Sequence, residues 1–236
     1  MRPMKRGLLC APLLAAILVY APGAAEVEIT SEPHHHFLFA NQTVRVFNVE
    51  VGPQEATLMH RHRHDYVFVT LGASEVSNEV EGKSPVRLTL QDGETRFVPG
   101  GFAHVARDFA SKPFRNVTVE FLQDQKAHSS AAPNWDEDRG LKVFTGGTQH
   151  ILFVKDGVRA SEIELQPGAM IPSQLHRGPY LLVAITALEV RSAAKGVGAM
   201  AGRFRSGDAK WLPGGKACAL TNTARQTARF VTLEFP

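Results

Sequence analysis

Residues 93–108 read Gly93-Glu94-Thr95-Arg96-Phe97-Val98-Pro99-Gly100-Gly101-Phe102-Ala103-His104-Val105-Ala106-Arg107-Asp108. Asp92-Gly93 and Pro99-Gly100-Gly101 are turn signals. Thr95–Val98 between them is a short β-branched and aromatic run that reads as a strand. The same frame returns later in the chain as Gly207, Pro213-Gly214-Gly215, Cys218 and Asn222.

The return is part of a larger repeat. A shift of 114 residues, which puts 34 on 148, carries 34–122 onto 148–236 without a gap. His36-Phe37-Leu38-Phe39 falls on His150-Ile151-Leu152-Phe153, Val44-Arg45 on Val158-Arg159, and Glu75-Val76 on Glu189-Val190. Val117-Thr118-Val119-Glu120-Phe121 falls on Val231-Thr232-Leu233-Glu234-Phe235. Two copies are too few for a solenoid, so this is a duplicated domain. The expected organisation is an N-terminal arm at 26–33, one copy at 34–122, a breaker-rich linker at 123–147 and a second copy at 148–236. In the first copy, Thr43–Val51, Tyr66–Leu71, Val86–Leu90, Thr95–Val98 and Val117–Leu122 predict strands bounded by Gly and Pro turns. No long stretch carries a helical stripe. The expected fold class is all-β, a sandwich or barrel made twice. Arg45/Arg159 and Glu120/Glu234 recur in both copies and are expected to be architectural.

The start of the chain reads as a leader. Arg2, Lys5 and Arg6 precede an apolar run from Gly7 to Tyr20, and Gly23-Ala24-Ala25 supplies small residues for cleavage. This pattern predicts a signal peptide at 1–25 and a periplasmic or secreted mature protein. Without 1–25, Lys+Arg falls from 26 to 23, equal to the 23 acidic residues. The mature chain is then neutral, which argues against a nucleic-acid partner or, after cleavage, a membrane one. Of the two cysteines, Cys10 leaves with the leader, so Cys218 has no partner for an internal disulfide. With 44% hydrophobic and 21% charged residues, the composition is globular and excludes a disordered or disulfide-dense class.

Histidines cluster in two places: His34-His35-His36, and His60-Arg61-His62-Arg63-His64 followed by Asp65-Tyr66. In a strand, residues 60, 62, 64 and 66 share a face, and Arg61, Arg63 and Asp65 share the other. Neutral imidazoles at i and i+2 can take adjacent positions around a divalent metal; the competing reading is a solvated polar face. His34–His36 reads as a flexible polar arm, although the repetition of His36 as His150 suggests packing there.

Residues 93–108 resemble the second motif of the cupin superfamily, Gly-x5-Pro-x-Gly-x2-His-x3-Asn, with Asp108 at the Asn position. The first cluster resembles the first cupin motif, Gly-x5-His-x-His-x3-Glu-x6-Gly, through His60 and His62. Gln54 stands at its first Gly, Tyr66 at its Glu, and Gly72 one residue before its last Gly. The resemblance covers both copies and implies two tandem cupin barrels of double-stranded β-helix, or jelly-roll, type. It also implies a three-histidine metal site of His60, His62 and His104. Tyr66 is then a weak ligand or acid/base group, and His64 an alternative ligand or supporting catalytic residue. The second copy has Gln174, His176, Tyr180 and Cys218 at the positions of His60, His62, Tyr66 and His104, which implies a decayed site; a Cys/His site for a softer ion is the alternative.

Two classes of function follow from the resemblance. One is an exported metal-dependent bicupin enzyme, oxygenase-like or a lyase or isomerase, acting on a small substrate, with an anionic one favoured by a site that has no carboxylate ligand. Iron is the expected metal, with zinc, manganese, nickel or copper as alternatives. The other is a non-catalytic small-ligand-binding or storage cupin. The two barrels are expected to pair within the chain, with or without a further homodimer.

Overall fold

The computed structural model describes residues 25–122, 140–155, 157–176, 178–194 and 197–236. Residues 1–24 of the expected leader and 123–139 of the expected linker lie outside the described residues. So do the side chains of 172–177, 194, 197–200 and 216–218.

The first copy holds β1 (Val27–Glu28), β2 (His35–Ala40), β3 (Val44–Val51), β4 (His60–His62) and β5 (Tyr66–Thr70). It continues with β6 (Ser74–Val80), β7 (Val86–Leu90), β8 (Thr95–Val98), β9 (Phe102–Asp108) and β10 (Phe114–Phe121). These form two five-stranded sheets, ordered β1-β4-β9-β6-β7 and β2-β3-β10-β5-β8. The second copy holds β11 (Leu141–Phe144), β12 (Gly147–Lys155), β13 (Val158–Leu165), β14 (Met170–His176) and β15 (Tyr180–Ala184). Then come β16 (Leu188–Ala194), β17 (Val197–Phe204), β18 (Ala209–Leu212), β19 (Lys216–Asn222) and β20 (Ala228–Glu234). Their sheets run β11-β12-β13-β20-β15-β18 and β14-β19-β16-β17. The expected all-β pair of tandem barrels is therefore what forms. The only helical element among the described residues is a 3-10 turn at Ile29–Ser31.

Period-two alternation divides the work of each strand. In β10, Val117, Val119 and Phe121 face away from their own barrel and pack against Val231, Leu233 and Phe235 of the second copy. Val44, Val46, Val67 and Val69 join them, facing Val158, Ala160, Leu181 and Val183. The two barrels thus meet sheet on sheet across a shared apolar core. At its margin Arg229 reaches Asp92 (Nη1 to Oδ2 2.6 Å) and Asn48 Nδ2 donates to the Gly207 carbonyl at 3.2 Å. The alternate residues of β10, namely Phe114, Asn116, Thr118 and Glu120, face inward. The repeated pairs meet across these sheets: Arg45 Nη2 lies 2.6 Å from Glu120, and Arg159 Nη2 lies 2.7 Å from Glu234.

Two details of the motifs have clear causes. Gln54, at the first motif's Gly position, adopts φ 64°, the left-handed conformation that glycine favours, and Gly168 occupies the repeated position at φ 77°. The Gln54 side chain donates to the Phe109 carbonyl at 3.0 Å, which helps hold the turn. Gly100 lies so close to the chain at His64 that a Cβ there would meet the His64 carbonyl carbon at 2.3 Å. Gly101 N also donates to the His62 carbonyl at 2.7 Å. The Pro-Gly-Gly turn of the second motif is thereby locked onto the end of the first. Asp108 at the end of that motif is buried and accepts from the backbone of Ala110 and Phe114, so it clamps a turn.

β1 follows a different path from its counterpart. Residues 27–28 fall on 141–142 under the 114-residue shift, yet β11 pairs with β12 while β1 pairs in parallel with β4. Arg61 clips Glu26 (Nε to Oε1 2.6 Å) and Arg63 bonds Glu28, so both arginines do lie on the side away from the histidines. This path delivers Glu32 to the barrel interior, where it is 2% exposed.

Candidate metal centre

β4 and β9 are antiparallel neighbours, and their register sets His60 opposite His104. His62 follows on the same inward face. His60, His62 and His104 are all buried. The ring centroids of His60 and His104 are 4.5 Å apart, and those of His62 and His104 5.3 Å. The three histidines implied by the motifs are therefore brought together.

A fourth imidazole joins them. His35, at the start of β2, is buried, and its ring centroid lies 4.6 Å from that of His60. Ring nitrogens of His35, His60 and His62 all lie within 4.8 Å of one another. The expectation of a flexible arm at His34–His36 fails here, because Glu32 and the β2–β3 pairing fix the segment. His36 and its repeat His150 are both exposed, so the packing expected for them is absent. His35 falls on Gln149 under the repeat, and Gln149 is buried too. The sequence holds only a weak sign of it, a polar residue at this position in both copies, His35 and Gln149.

Every Nδ1 of the four rings is engaged from behind. His60 Nδ1–H donates to the Leu58 carbonyl at 2.9 Å, and His104 Nδ1–H to Asn78 Oδ1 at 2.7 Å. His35 Nδ1–H donates to Glu32 at 2.6 Å, and His62 Nδ1 lies 3.3 Å from Glu120. A carbonyl can only accept, so the His60 proton sits on Nδ1 and its Nε2 presents a lone pair. His60 Nε2 and His104 Nε2 are buried and have no hydrogen-bond partner within the protein. Such orphaned acceptors are costly unless something binds them. Neutral imidazoles with backed Nδ1 atoms and a free Nε2 are what a divalent transition metal requires.

The electrostatics agree. Burial, with His35 adding to it, lowers the His60 pKa to about 3. Burial also lowers His62, outweighing the pull of Glu120, and holds His104 well below its usual range. All three are neutral at physiological pH. Burial alone would raise Glu32, but hydrogen bonds from His35 and His34 bring it down to about 2. It also accepts from the backbone of His34 and Leu58, at 2.9 and 3.1 Å. Glu120, shared between Arg45 and His62, is likewise held ionised against its burial. The two carboxylates meet the cluster from behind, Glu32 at Nδ1 of His35 and Glu120 at Nδ1 of His62.

Tyr66 stacks on His62, centroids 4.0 Å apart, and lines the cavity in front of the cluster. Burial, reinforced by Glu120, raises its pKa above the usual phenol value. Held protonated, it is able to donate a hydrogen bond and is a poor metal ligand. His64 is not brought in. β4 ends at His62, the alternation breaks, and His64 sits in a bend outside the cavity lining. In the second copy the register repeats, with Gln174 opposite Cys218. The side chains of Gln174, His176 and Cys218 lie outside the described residues.

The cavity holds about 320 Å³. The histidines stand together in its lining, and the remainder is mainly apolar, Val49, Phe68, Leu88 and Phe114 among it, with interspersed polar side chains such as Thr57 and Thr118. Arg96 also stands in the lining, bonded to Glu94 at 2.6 Å.

No protein-family profile and no curated protein sequence matches the chain. Solved structures do. A single-site variant of Bacillus subtilis oxalate decarboxylase aligns over 88% of this chain and 76% of its own, at 11% identity and TM-score 0.61. A structure described in a study of the Mn(II) centres of that enzyme aligns over 85% and 75%, at 12% identity and TM-score 0.59. The same enzyme at pH 4.6 aligns over 82% and 68%, at 12% identity and TM-score 0.59. At such identities the likeness is one of fold.

Proposed function

We propose that this chain, a two-barrel cupin by fold, is an exported metalloenzyme that works on a small molecule through the N-terminal barrel. The carrying observation is the backed histidine cluster, in which His60 and His104 each present a buried Nε2 with no protein partner. His60, His62 and His104 hold the ion, with His35 completing the set. A divalent metal there supplies Lewis acidity, and iron(II) adds dioxygen chemistry. An all-imidazole set suits iron, zinc, copper or nickel. The manganese named for the structural neighbours is kept as an alternative, because Glu32 and Glu120 supply negative charge from behind.

The protein's own groups have assignable parts. Glu32 and Glu120 orient His35 and His62. Tyr66, protonated and beside His62, donates a hydrogen bond or a proton to a bound oxygen atom. Arg96, paired with Glu94 in the cavity lining, adds a positive charge that favours an anionic substrate. Elemental analysis of protein purified from its native compartment tests this reading. One divalent ion per chain is expected, with N-terminal sequencing expected to find a start near Glu26. A metal-free native protein, or a retained Met1, overturns the corresponding half.

A non-catalytic ligand-binding cupin is the second reading, favoured by the largely apolar cavity. Turnover of no substrate by a fully metallated protein that retains tight ligand binding would select it.

A further inference from the structure

The cavity describes its own occupant, on the premise that the histidine cluster holds a metal. Packed protein interiors leave few voids larger than one water molecule. Here about 320 Å³ stays open, roughly the liquid volume of ten waters. The second barrel carries a larger side chain at one of the lining positions. Asn116 falls on Phe230 under the 114-residue shift, and Phe230 is 1% exposed within an apolar cluster of Leu165, Leu182 and Leu188. The neighbouring exchange runs the other way, Phe114 falling on Ala228, so the first barrel carries its phenylalanine at the start of β10. The first barrel keeps the smaller, polar Asn116 in the middle of β10 and leaves the space empty of side chains.

The chemistry of the walls is uneven. At one end stand the imidazoles and Tyr66. The rest of the lining is mainly apolar, Val49, Phe68, Leu88 and Phe114 among it, and is interrupted by polar side chains such as Thr57 and Thr118. A two-carbon dicarboxylate would satisfy the polar end and leave apolar wall facing trapped water. We infer that the substrate or ligand has two parts: a compact, anionic oxygen chelate that meets the metal, and an apolar body of several carbons that lies along these walls. That body contributes through burial, about fourfold in affinity for each methylene removed from water.

The test uses the full mature chain loaded with cobalt(II), whose visible absorption reports chelation. Acetohydroxamate, butanohydroxamate, hexanohydroxamate and oxalate are titrated in turn. The dissociation constant is expected to fall about fourfold per added methylene until the cavity is full. Hexanohydroxamate is expected to bind at least tenfold more tightly than oxalate. Asn116→Phe, which copies the second barrel, should flatten the series while cobalt content stays at one per chain. Leu88→Phe, at a partly buried wall position, is the second variant should the first not fold. A flat series in the unaltered protein, or oxalate as the tightest probe, overturns the inference and leaves the metal reading standing. Failure to take up cobalt overturns both.

Discussion

Phe121 and Phe235 occupy the same position in the two copies, and they touch. Their rings meet edge to face, with centroids 5.9 Å apart. Phe97 stacks beside Phe121, and Trp211, its counterpart, lies beside Phe235. Residues related by the repeat therefore meet at the centre of the interface, as expected for a pseudo-two-fold pair made within one chain. The duplicated barrel carries its dimer partner with it.

Phe121→Ala should accordingly cost about 3–5 kcal/mol, the range for a buried Phe reduced to Ala. Phe235→Ala should cost as much. The double variant should cost less than the sum, since an aromatic pair carries a coupling of about 0.5–1.5 kcal/mol. Urea denaturation of the three variants measures this. Additive costs would mean that the rings pack independently.

Metal stoichiometry separates the two barrels. One divalent ion per chain is expected. His60→Ala or His104→Ala should abolish binding, and Cys218→Ser should leave it unchanged, because Gln174 and Cys218 replace two of the histidines in the second copy. Two ions per chain, or loss of the ion with Cys218, would sink the assignment to the first barrel.

Glu32 is the least obvious member of the site. Its carboxylate bonds both His34 and His35 and is fully buried. Glu32→Gln keeps the shape and removes the charge. Outer-layer partners of metal-binding histidines typically matter by about 10–100-fold in affinity. Glu32→Gln should therefore weaken the metal by that order in a chelator competition. Glu55→Gln is the control, because its exposed carboxylate touches only the outer nitrogen of His34 at 3.8 Å. Equal affinities in both variants would reduce Glu32 to a fold residue.

Much of this was legible in the sequence. Turn pairs and the 114-residue repeat gave the two barrels, and Thr95–Val98 and Val86–Leu90 form as strands with the expected ends. His60 and His62 share a face by strand parity, a local rule, whereas His104 was legible only through the cupin resemblance, because the register of β9 on β4 is non-local. His64 and His35 show where those rules stop. Parity fails for His64 since β4 is only three residues long, a length set by the Gly100 turn that packs on it. His35 enters through a non-local event, the passage of β1 to the other sheet, which no period in 34–36 encodes. The role of Glu32 is hidden for the same reason.

Acid should unfold the metal-free protein early. His60 has its pKa lowered from 6.5 to about 3 by burial. Between those values the unfolded chain binds a proton at His60 that the folded chain does not, so stability rises with pH. The contribution is complete above pH 6.5 and is lost progressively as pH falls toward 3. In the presence of chelator, the urea midpoint should drop between pH 7 and 4.5, and His60→Asn should reduce that drop. A midpoint independent of pH over this range would contradict the buried neutral imidazole.

Tyr66 offers the test closest to chemistry. Its ring stacks on His62, and its counterpart Tyr180 sits at the same position of a barrel lacking the histidine set. Tyr66→Phe keeps the stacked ring and its buried area and removes only the hydroxyl. If that hydroxyl donates a proton during turnover, the loss should be about 10²–10⁴-fold, with metal content and melting temperature little changed. Burial keeps the phenol protonated, so the role open to it is that of an acid; activity dependent on Tyr66 should not rise with pH on its account. Tyr180→Phe should be silent in turnover. Small, equal effects at the two positions would return Tyr66 to a packing role. A large loss confined to Tyr66→Phe, at unchanged metal content, would place the hydroxyl at the reacting atoms.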